Sequence, residues 1–90
     1  MLNPDTETLF NFPCEFPIKV LGFAEADFNL FVEDIVRRHC PDFDATLTTR
    51  RFSNGGKYVS VTVTIMAQSR VQLDSLYSEL SSQKRVMMVF

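Results

Sequence analysis

The spacing of hydrophobic residues along the chain alternates between two periods. From Phe16 to Val20 every second residue is apolar, whereas from Ala26 to Cys40 apolar residues recur every three or four positions. The first pattern is typical of a strand with one buried face, and the second of an amphipathic helix. Two further strand-like segments, a second helix-like segment and a last strand-like segment follow. The predicted order is therefore β-α-β-β-α-β.

The first strand and the first helix are each bounded by a residue with special backbone properties. Phe16, Ile18 and Val20 are expected to face the core, and Gly22 is expected to close the strand, either as a turn residue or by admitting a small ligand to the backbone. In the helix, Pro41 enforces the end, because the residue before a proline avoids the helical conformation. The apolar stripe of this helix consists of Phe28, Phe31, Val32, Ile35 and Val36.

The middle of the sequence predicts a β-hairpin. The segment Thr46 to Phe52 is rich in β-branched residues, and Ser-Asn-Gly-Gly at 53–56 supplies residues that tolerate the positive φ of tight turns. The next strand alternates most regularly, with apolar residues at odd positions from Val59 to Ile65 and polar ones at even positions. Its apolar face is expected to pack under the helices, which leaves its polar face open.

The last third predicts a helix and a terminal strand. Ser69 and Gln72 match a capping box, in which each side chain bonds a free backbone amide at the start of the helix. Apolar residues then recur at helical spacing from Leu73 to Leu80, and residues 85–90 form the last strand.

Together these elements predict an α+β fold, a ferredoxin-like β-α-β-β-α-β two-layer sandwich. A four-stranded antiparallel sheet carries two helices on one face. The 90 residues suffice for one domain. We expect that domain to span residues 12–90, preceded by a flexible N-terminal arm at residues 1–11.

Composition limits the classes of function. The net charge of −2 lacks the basic footprint of a nucleic-acid-binding domain. No apolar run approaches the ~18 residues of a membrane span, and the first twelve residues do not resemble a secretion signal. Cys14 and Cys40 form no metal-binding or paired motif, which suits two reduced thiols. These features predict a cytoplasmic protein that does not associate with a membrane, and they disfavour nucleic acid as a partner.

The sequence contains no recognisable catalytic, metal or cofactor site. The single histidine, His39, ends the first helix, where the negative end of the helix dipole stabilises a positive charge. Cys40 follows directly, but neighbouring helical residues point about 100° apart, which disfavours a Cys-His dyad. Glu33 and Asp34 are interpreted as the solvated face of the same helix. We therefore predict no catalytic residues, no metal and no cofactor.

The open face of the sheet is the predicted contact surface. It is expected to be shallow and largely uncharged, and to bind another protein or a second copy of the chain; edge strands offer a second route to a homodimer. Its expected residues are Thr46, Thr48, Arg50, Ser60, Thr62, Thr64 and Met87.

RNA binding is the alternative, because RNA-recognition motifs share this topology. Tyr58 could stack on a base, and Arg50, Arg51 and Lys57 lie near it in the hairpin. Two positions further along the strand stands Ser60, followed by threonines, and these side chains cannot stack on bases. The sequence thus favours protein contact over RNA.

Several segments in order resemble the YbeD-like family of small uncharacterised bacterial proteins. They are Phe12-Pro13 with Phe16 leading into Lys19-Val20, Val36-Arg37-Arg38-His39 before Pro41, Gly56-Lys57-Tyr58 followed by Ser60-Val61-Thr62-Val63-Thr64, and Leu76-Tyr77-Ser78-Glu79-Leu80 before Arg85-Val86-Met87. The resemblance runs from about Leu9 to Phe90.

This resemblance implies a ferredoxin-like sandwich similar in shape to ACT regulatory domains, which sense amino acids, and it implies no catalytic residue. ACT domains bind ligands in the loop after the first strand, which here is 21–27 and lacks their frequent Pro-Gly dipeptide. By this resemblance Gly22 and Asp27 are candidate contacts for a small effector. The predicted function is a non-enzymatic regulatory or interaction module.

Overall fold

The structure, a computed structural model, describes residues 12–90, so the predicted arm at residues 1–11 lies outside the described residues. The described chain has the predicted order of strands and helices. The elements are β1 (Cys14–Phe23), α1 (Phe28–His39), β2 (Thr49–Phe52), β3 (Tyr58–Ala67), α2 (Arg70–Ser82) and β4 (Val86–Val89).

The strands form one antiparallel sheet in the order β2-β3-β1-β4. β1 and β3 are the inner strands, and they pair along ten residues from Cys14 opposite Ala67 to Phe23 opposite Tyr58. β2 and β4 are short edge strands of four residues each. A bulge interrupts the pairing of β1 with β4 between Leu21 and Gly22. The ferredoxin-like sandwich predicted from the sequence is confirmed.

The hydrophobic core lies between the sheet and the two helices, as the periodicities predict. The odd-numbered residues of β3 from Val59 to Ala67 are buried, and so are Ile18 and Val20 of β1. The helices cover them with their apolar stripes. Glu33, expected on the solvated face of α1, is instead 5% exposed, because its helical position borders that of the buried Val36.

Gly22 lies within β1 rather than at its end, since the strand continues to Phe23. It is buried, and a Cβ atom built on it would overlap the ring of Phe28 and stand 2.7 Å from the carbonyl oxygen of Arg85. The missing side chain therefore makes room for a helix residue and for the chain that enters β4. The turn role expected for Gly22 is wrong.

The helix and hairpin ends follow their local chemistry with one difference. The Ser69 hydroxyl accepts a hydrogen bond from the Gln72 backbone N–H at 3.1 Å, as the capping box predicts. The Gln72 side-chain oxygen, however, accepts from the Gln68 backbone N–H at 2.7 Å, one residue before the expected partner. In the hairpin, Gly55 and Gly56 both adopt the positive φ for which glycine was expected.

Replacing Gly22 with alanine should lower the free energy of unfolding by about 1–3 kcal/mol, because the added methyl group overpacks the Phe28 ring and the Arg85 carbonyl. Urea denaturation measures this change. The same substitution should cost less in a Phe28→Leu background, where the ring is absent. A Gly22→Ala variant as stable as the wild type would contradict the packing role.

Candidate interaction surface

The sheet face that points away from the helices is exposed to solvent along the inner strands. We call this surface the open face. Because side chains alternate along a strand, β1 contributes odd-numbered residues and β3 even-numbered ones, and the register adds residues from β2 and β4. The open face comprises Glu15, Pro17, Lys19, Leu21, Phe23, Thr49, Arg51, Tyr58, Ser60, Thr62, Thr64, Met66, Met88 and Phe90.

Three of the contact residues predicted from the sequence are wrongly placed, and a fourth, Met87, stands at the bulge and has no partner residue in β1. Thr46 lies in a 3₁₀ turn before β2, and Thr48 is half-buried ahead of the strand. Arg50 pairs with Val61, whose side chain is in the core, and donates hydrogen bonds to the carbonyl oxygen of Ala26 and the side chain of Asn29.

The sequence assigns these residues to the wrong face because the two apolar residues of the run 46–52, Leu47 and Phe52, stand at positions of opposite parity. Alternation along this run therefore does not reveal which residues point inward. A shift of one residue moves a whole strand to the opposite face. The register instead brings Thr49 and Arg51 to the open face, opposite Thr62 and Ser60.

The centre of the open face is polar and basic. This part of the face contains a shallow hollow of about 400 Å³, which is lined by Lys19, Thr49, Arg50, Arg51, Ser60 and Thr62. Among residues 12–90, no carboxylate lies within salt-bridge distance of Lys19 or Arg51. Of the expected contact residues, Ser60, Thr62 and Thr64 do lie on this face, and the hollow is less neutral than the sequence predicts.

One end of the open face and its β4 edge carry apolar side chains that the sequence analysis missed. Phe23 packs beside Tyr58, with 5.7 Å between the ring centroids, and is 48% exposed. Met88 and Phe90, on and after β4, are 51% and 58% exposed. The period of two in β1, continued through Gly22, would have placed Phe23 on this face.

At the opposite end from Phe23, the open face borders an acidic loop. Glu15 and Met66 lie beside Asp42, Asp44 and Leu47 around a hollow of about 170 Å³. The Asp44 carboxylate accepts hydrogen bonds from the backbone N–H and the hydroxyl of Thr46, at 2.9 and 2.6 Å. These bonds lower the pKa of Asp44, so its negative charge is favoured where the sheet face ends.

The loop after β1, where ACT domains bind ligands, is closed by an ion-pair cluster. The Arg85 guanidinium donates to Asp27 at 2.7 Å and to Glu25 at 3.0 Å, and it lies 4.5 Å from the centroid of the Phe31 ring. The hydrogen bond from Arg85 is the main cause that lowers the pKa of Asp27. Asp27 is therefore engaged with Arg85, and the space over Gly22 is filled by Phe28.

His39 and Cys40 do not act on each other. The His39 ring bonds the Glu79 carboxylate at 2.6 Å, and Arg38 donates to the other oxygen of Glu79 at 2.7 Å, which ties α1 to α2. Cys40 is buried, and its sulfur accepts a hydrogen bond from the Gln72 side chain at 3.4 Å. Burial raises the pKa of the Cys40 thiol, which disfavours the reactive thiolate.

The chain from residue 12 to residue 90 brings together no group of three or more histidine, cysteine or acidic side chains that could hold a metal ion. Across the same residues, neither helix has the length and the apolar character that crossing a bilayer would require.

Solved structures with this architecture define the class of fold. The solution structure of protein HP0495 from H. pylori superposes with a TM-score of 0.69 at 11% identity, over 90% of this chain and 85% of that one. The ACT domain from GTP pyrophosphokinase of Chlorobium tepidum has a TM-score of 0.63 at 13% identity, over 84% of each chain. The protein thus has an ACT-like, ferredoxin-like fold.

Sequence relatives define the family. Residues 7–90 match the model of a protein family, which is described as a protein of unknown function (DUF493). A UPF0250 protein of Nitrosomonas europaea is 46% identical over 92% of this chain and 95% of its own length, and one from Chromobacterium violaceum is 38% identical over 98% and 99%. The chain belongs to this DUF493/UPF0250 family of bacterial proteins, which confirms the YbeD-like resemblance.

Acid should selectively weaken the contribution of the Asp27–Arg85 pair to folding. A carboxyl group whose pKa is lowered in the folded state stabilises the protein above its unfolded pKa of about 3.9, and that stability is lost as the pH falls through the folded pKa. The difference in unfolding free energy between wild type and Asp27→Asn should therefore be largest near neutral pH and shrink below about pH 4.

Urea denaturation across this pH range measures the difference, and Arg85→Gln supplies the matched background. Without the guanidinium, Asp27→Asn should have a smaller effect with little pH dependence. An Asp27→Asn effect that is the same at pH 3 and pH 7 would contradict the role of the ion pair.

Proposed function

We propose that this protein is a non-enzymatic, ACT-like regulatory or interaction module that acts by protein contact through the open face. The observation that carries the proposal is that one sheet surface combines exposed apolar side chains with basic side chains that have no carboxylate partner among residues 12–90. Phe23, Met88 and Phe90 are each about half exposed. Lys19 lies next to Phe90, and Arg51 lies across the sheet from Met88, on the opposite edge strand. Exposed apolar groups surrounded by polar ones are typical of interaction sites.

Protein contact is favoured over a small effector in the loop after β1. An effector with an amino group would compete for the Asp27 carboxylate with Arg85, which already holds it by two hydrogen bonds of 2.7 and 3.4 Å. An approach to the Gly22 backbone meets the Phe28 ring. Effector binding at Gly22 and Asp27 would therefore require Arg85 and Phe28 to move.

The surroundings of His39 and Cys40, the two residues best suited to nucleophilic chemistry, support the non-enzymatic part of the proposal. A cysteine nucleophile needs an accessible thiolate and a neighbouring base. Cys40 is 6% exposed, and the His39 ring is bonded to Glu79. The thiols of Cys14 and Cys40 are free, which fits a protein that acts in the reducing cytoplasm.

A photo-crosslinking residue at Thr62, in the centre of the open face, should give light-dependent adducts in cells that naturally produce the protein. Ser78 is an exposed position on α2, in the helix layer, and provides the matched control. Mass spectrometry of the adducts identifies the partner. Adducts that are absent at Thr62, or equally abundant at Ser78, would contradict contact through the open face.

RNA binding is a second candidate, and one arrangement favours it. The Phe23 and Tyr58 rings lie side by side on the open face, and the Lys57 ammonium group lies 5.4 Å from the centroid of the Tyr58 ring. In RNA-binding sheets of this topology, bases stack on aromatic side chains of the two inner strands, and basic side chains lie nearby. Phe23 supplies the second aromatic residue that the sequence analysis of this hypothesis lacked.

If the face binds RNA, Tyr58→Ala should weaken the binding of a short single-stranded RNA by about 5- to 100-fold, the range that loss of one stacked base costs. Affinity should also fall steeply with added salt. Fluorescence anisotropy measures both, with Thr64→Ala at the other end of the face as the control. Binding that is independent of salt, or equally weakened by both variants, would contradict this candidate.

A further inference from the structure

Charge is distributed unevenly along the open face. Residues that lie side by side on neighbouring strands form a row across this face. The first row contains Phe23 and Tyr58, and the last row contains Glu15 and Met66. Lys19 and Arg51 occupy two adjacent rows in the middle and nearer the Phe23 end, and Lys57 lies just beyond that end. The basic groups therefore lie towards one end of the strands.

The opposite end is acidic. Glu15 is exposed in the last row, and Asp42 and Asp44 lie beside it on the loop that leads into β2. Because β2 is an edge strand, this loop approaches the face from the β2 side. The exposed side chains of Leu47 and Met66, each about half accessible, lie in the same place.

This polarity is self-complementary in one arrangement of two copies. In this arrangement the two open faces meet, and a twofold axis lies between them, perpendicular to the strands. The rotation sets the basic end of each copy over the acidic end of the other. It also keeps the two β2 edges on the same side. Lys19 and Glu15 are each two residues from Pro17, so an axis over Pro17 places Lys19 of one copy opposite Glu15 of its partner. Arg51 then points towards the partner loop that carries Asp44.

The alternative twofold axis, parallel to the strands, is disfavoured. It would place basic rows over basic rows and acidic ends over acidic ends, and like charges that face each other across an interface are costly. The distribution of charge thus selects one orientation out of two.

We propose that a second copy of this chain covers the open face, in an antiparallel face-to-face dimer whose twofold axis crosses β1 near Pro17. The inference rests on the proposed function, since it names the partner of the same surface. Sheets that pack face to face lie about 10 Å apart, a distance that the side chains of Lys19 and Glu15 span together. Phe90, paired with Lys19 along the backbone, adds apolar contact near the axis.

The dimer should be weak and dependent on concentration. Five rows spaced by about 7 Å, across four strands about 4.8 Å apart, give a face of roughly 28 by 14 Å between the outermost rows and strands. That is smaller than the ~800 Å² that each partner usually buries in a stable complex. Sedimentation velocity across protein concentrations up to ~1 mM, where even a dimer held by about 4 kcal/mol is populated, measures the association.

Charge reversal at one pair provides the decisive experiment. Lys19→Glu alone and Glu15→Lys alone should each weaken dimerisation about tenfold or more, because each replaces two symmetric attractions by two repulsions. An equimolar mixture of the two variants should associate again, since every Glu at 19 then faces a Lys at 15 and every Glu at 15 faces a Lys at 19. Both side chains are exposed, so the fold should be unaffected.

Arg37→Glu and Asp34→Lys, on the exposed side of α1, are the controls with matched charge changes. Dimerisation of these variants should equal that of the wild type, and their mixture should gain nothing. A wild-type protein that stays monomeric throughout, or a Lys19→Glu and Glu15→Lys mixture that fails to associate, would overturn the dimer. If Thr62 still crosslinks to a different protein in that case, the contact function survives and only its partner is wrong.

Discussion

The pairing of β1 with β3 is the interaction on which the rest of the structure depends. Ten consecutive residue pairs join the two strands, and both edge strands attach to this inner pair. Because the ladder is continuous, every residue of β1 and β3 has a defined face. The buried side of the ladder forms the floor of the core, and the other side forms the open face. The core and the candidate interaction surface are therefore two faces of one element.

The loop after β1 depends on a second constraint, the close packing around Gly22. The Phe28 ring and the Arg85 carbonyl occupy the space that a side chain would take, and the Arg85 guanidinium pairs with Glu25 and Asp27. These contacts join the start of α1 to the entry of β4. The space around the loop after β1 is thus occupied by the protein's own side chains.

A sheet face with exposed aromatic, methionine and basic side chains has a physical reason to be covered. Hydration of the charged groups of Lys19 and Arg51 is favourable, whereas hydration of the apolar side chains of Phe23, Met88 and Phe90 is not. The monomer leaves these three side chains about half exposed. A small domain buries a limited share of its surface, so association is an effective way to bury more. The proposals differ in what covers the face, and each of them depends on these same side chains.

The sequence by itself determined the fold, the helix stripes and the inward-facing residues of β3, because regular hydrophobic alternation carries that information within each segment. It also placed Ser60, Thr62 and Thr64 on the open face. Only the tertiary structure decided the face of β2, where Arg50 turns to α1 and Arg51 to solvent. All four residues of this strand are exposed, so its orientation comes from the strand it pairs with. The role of Gly22 was settled in the same way, by the distant residues Phe28 and Arg85.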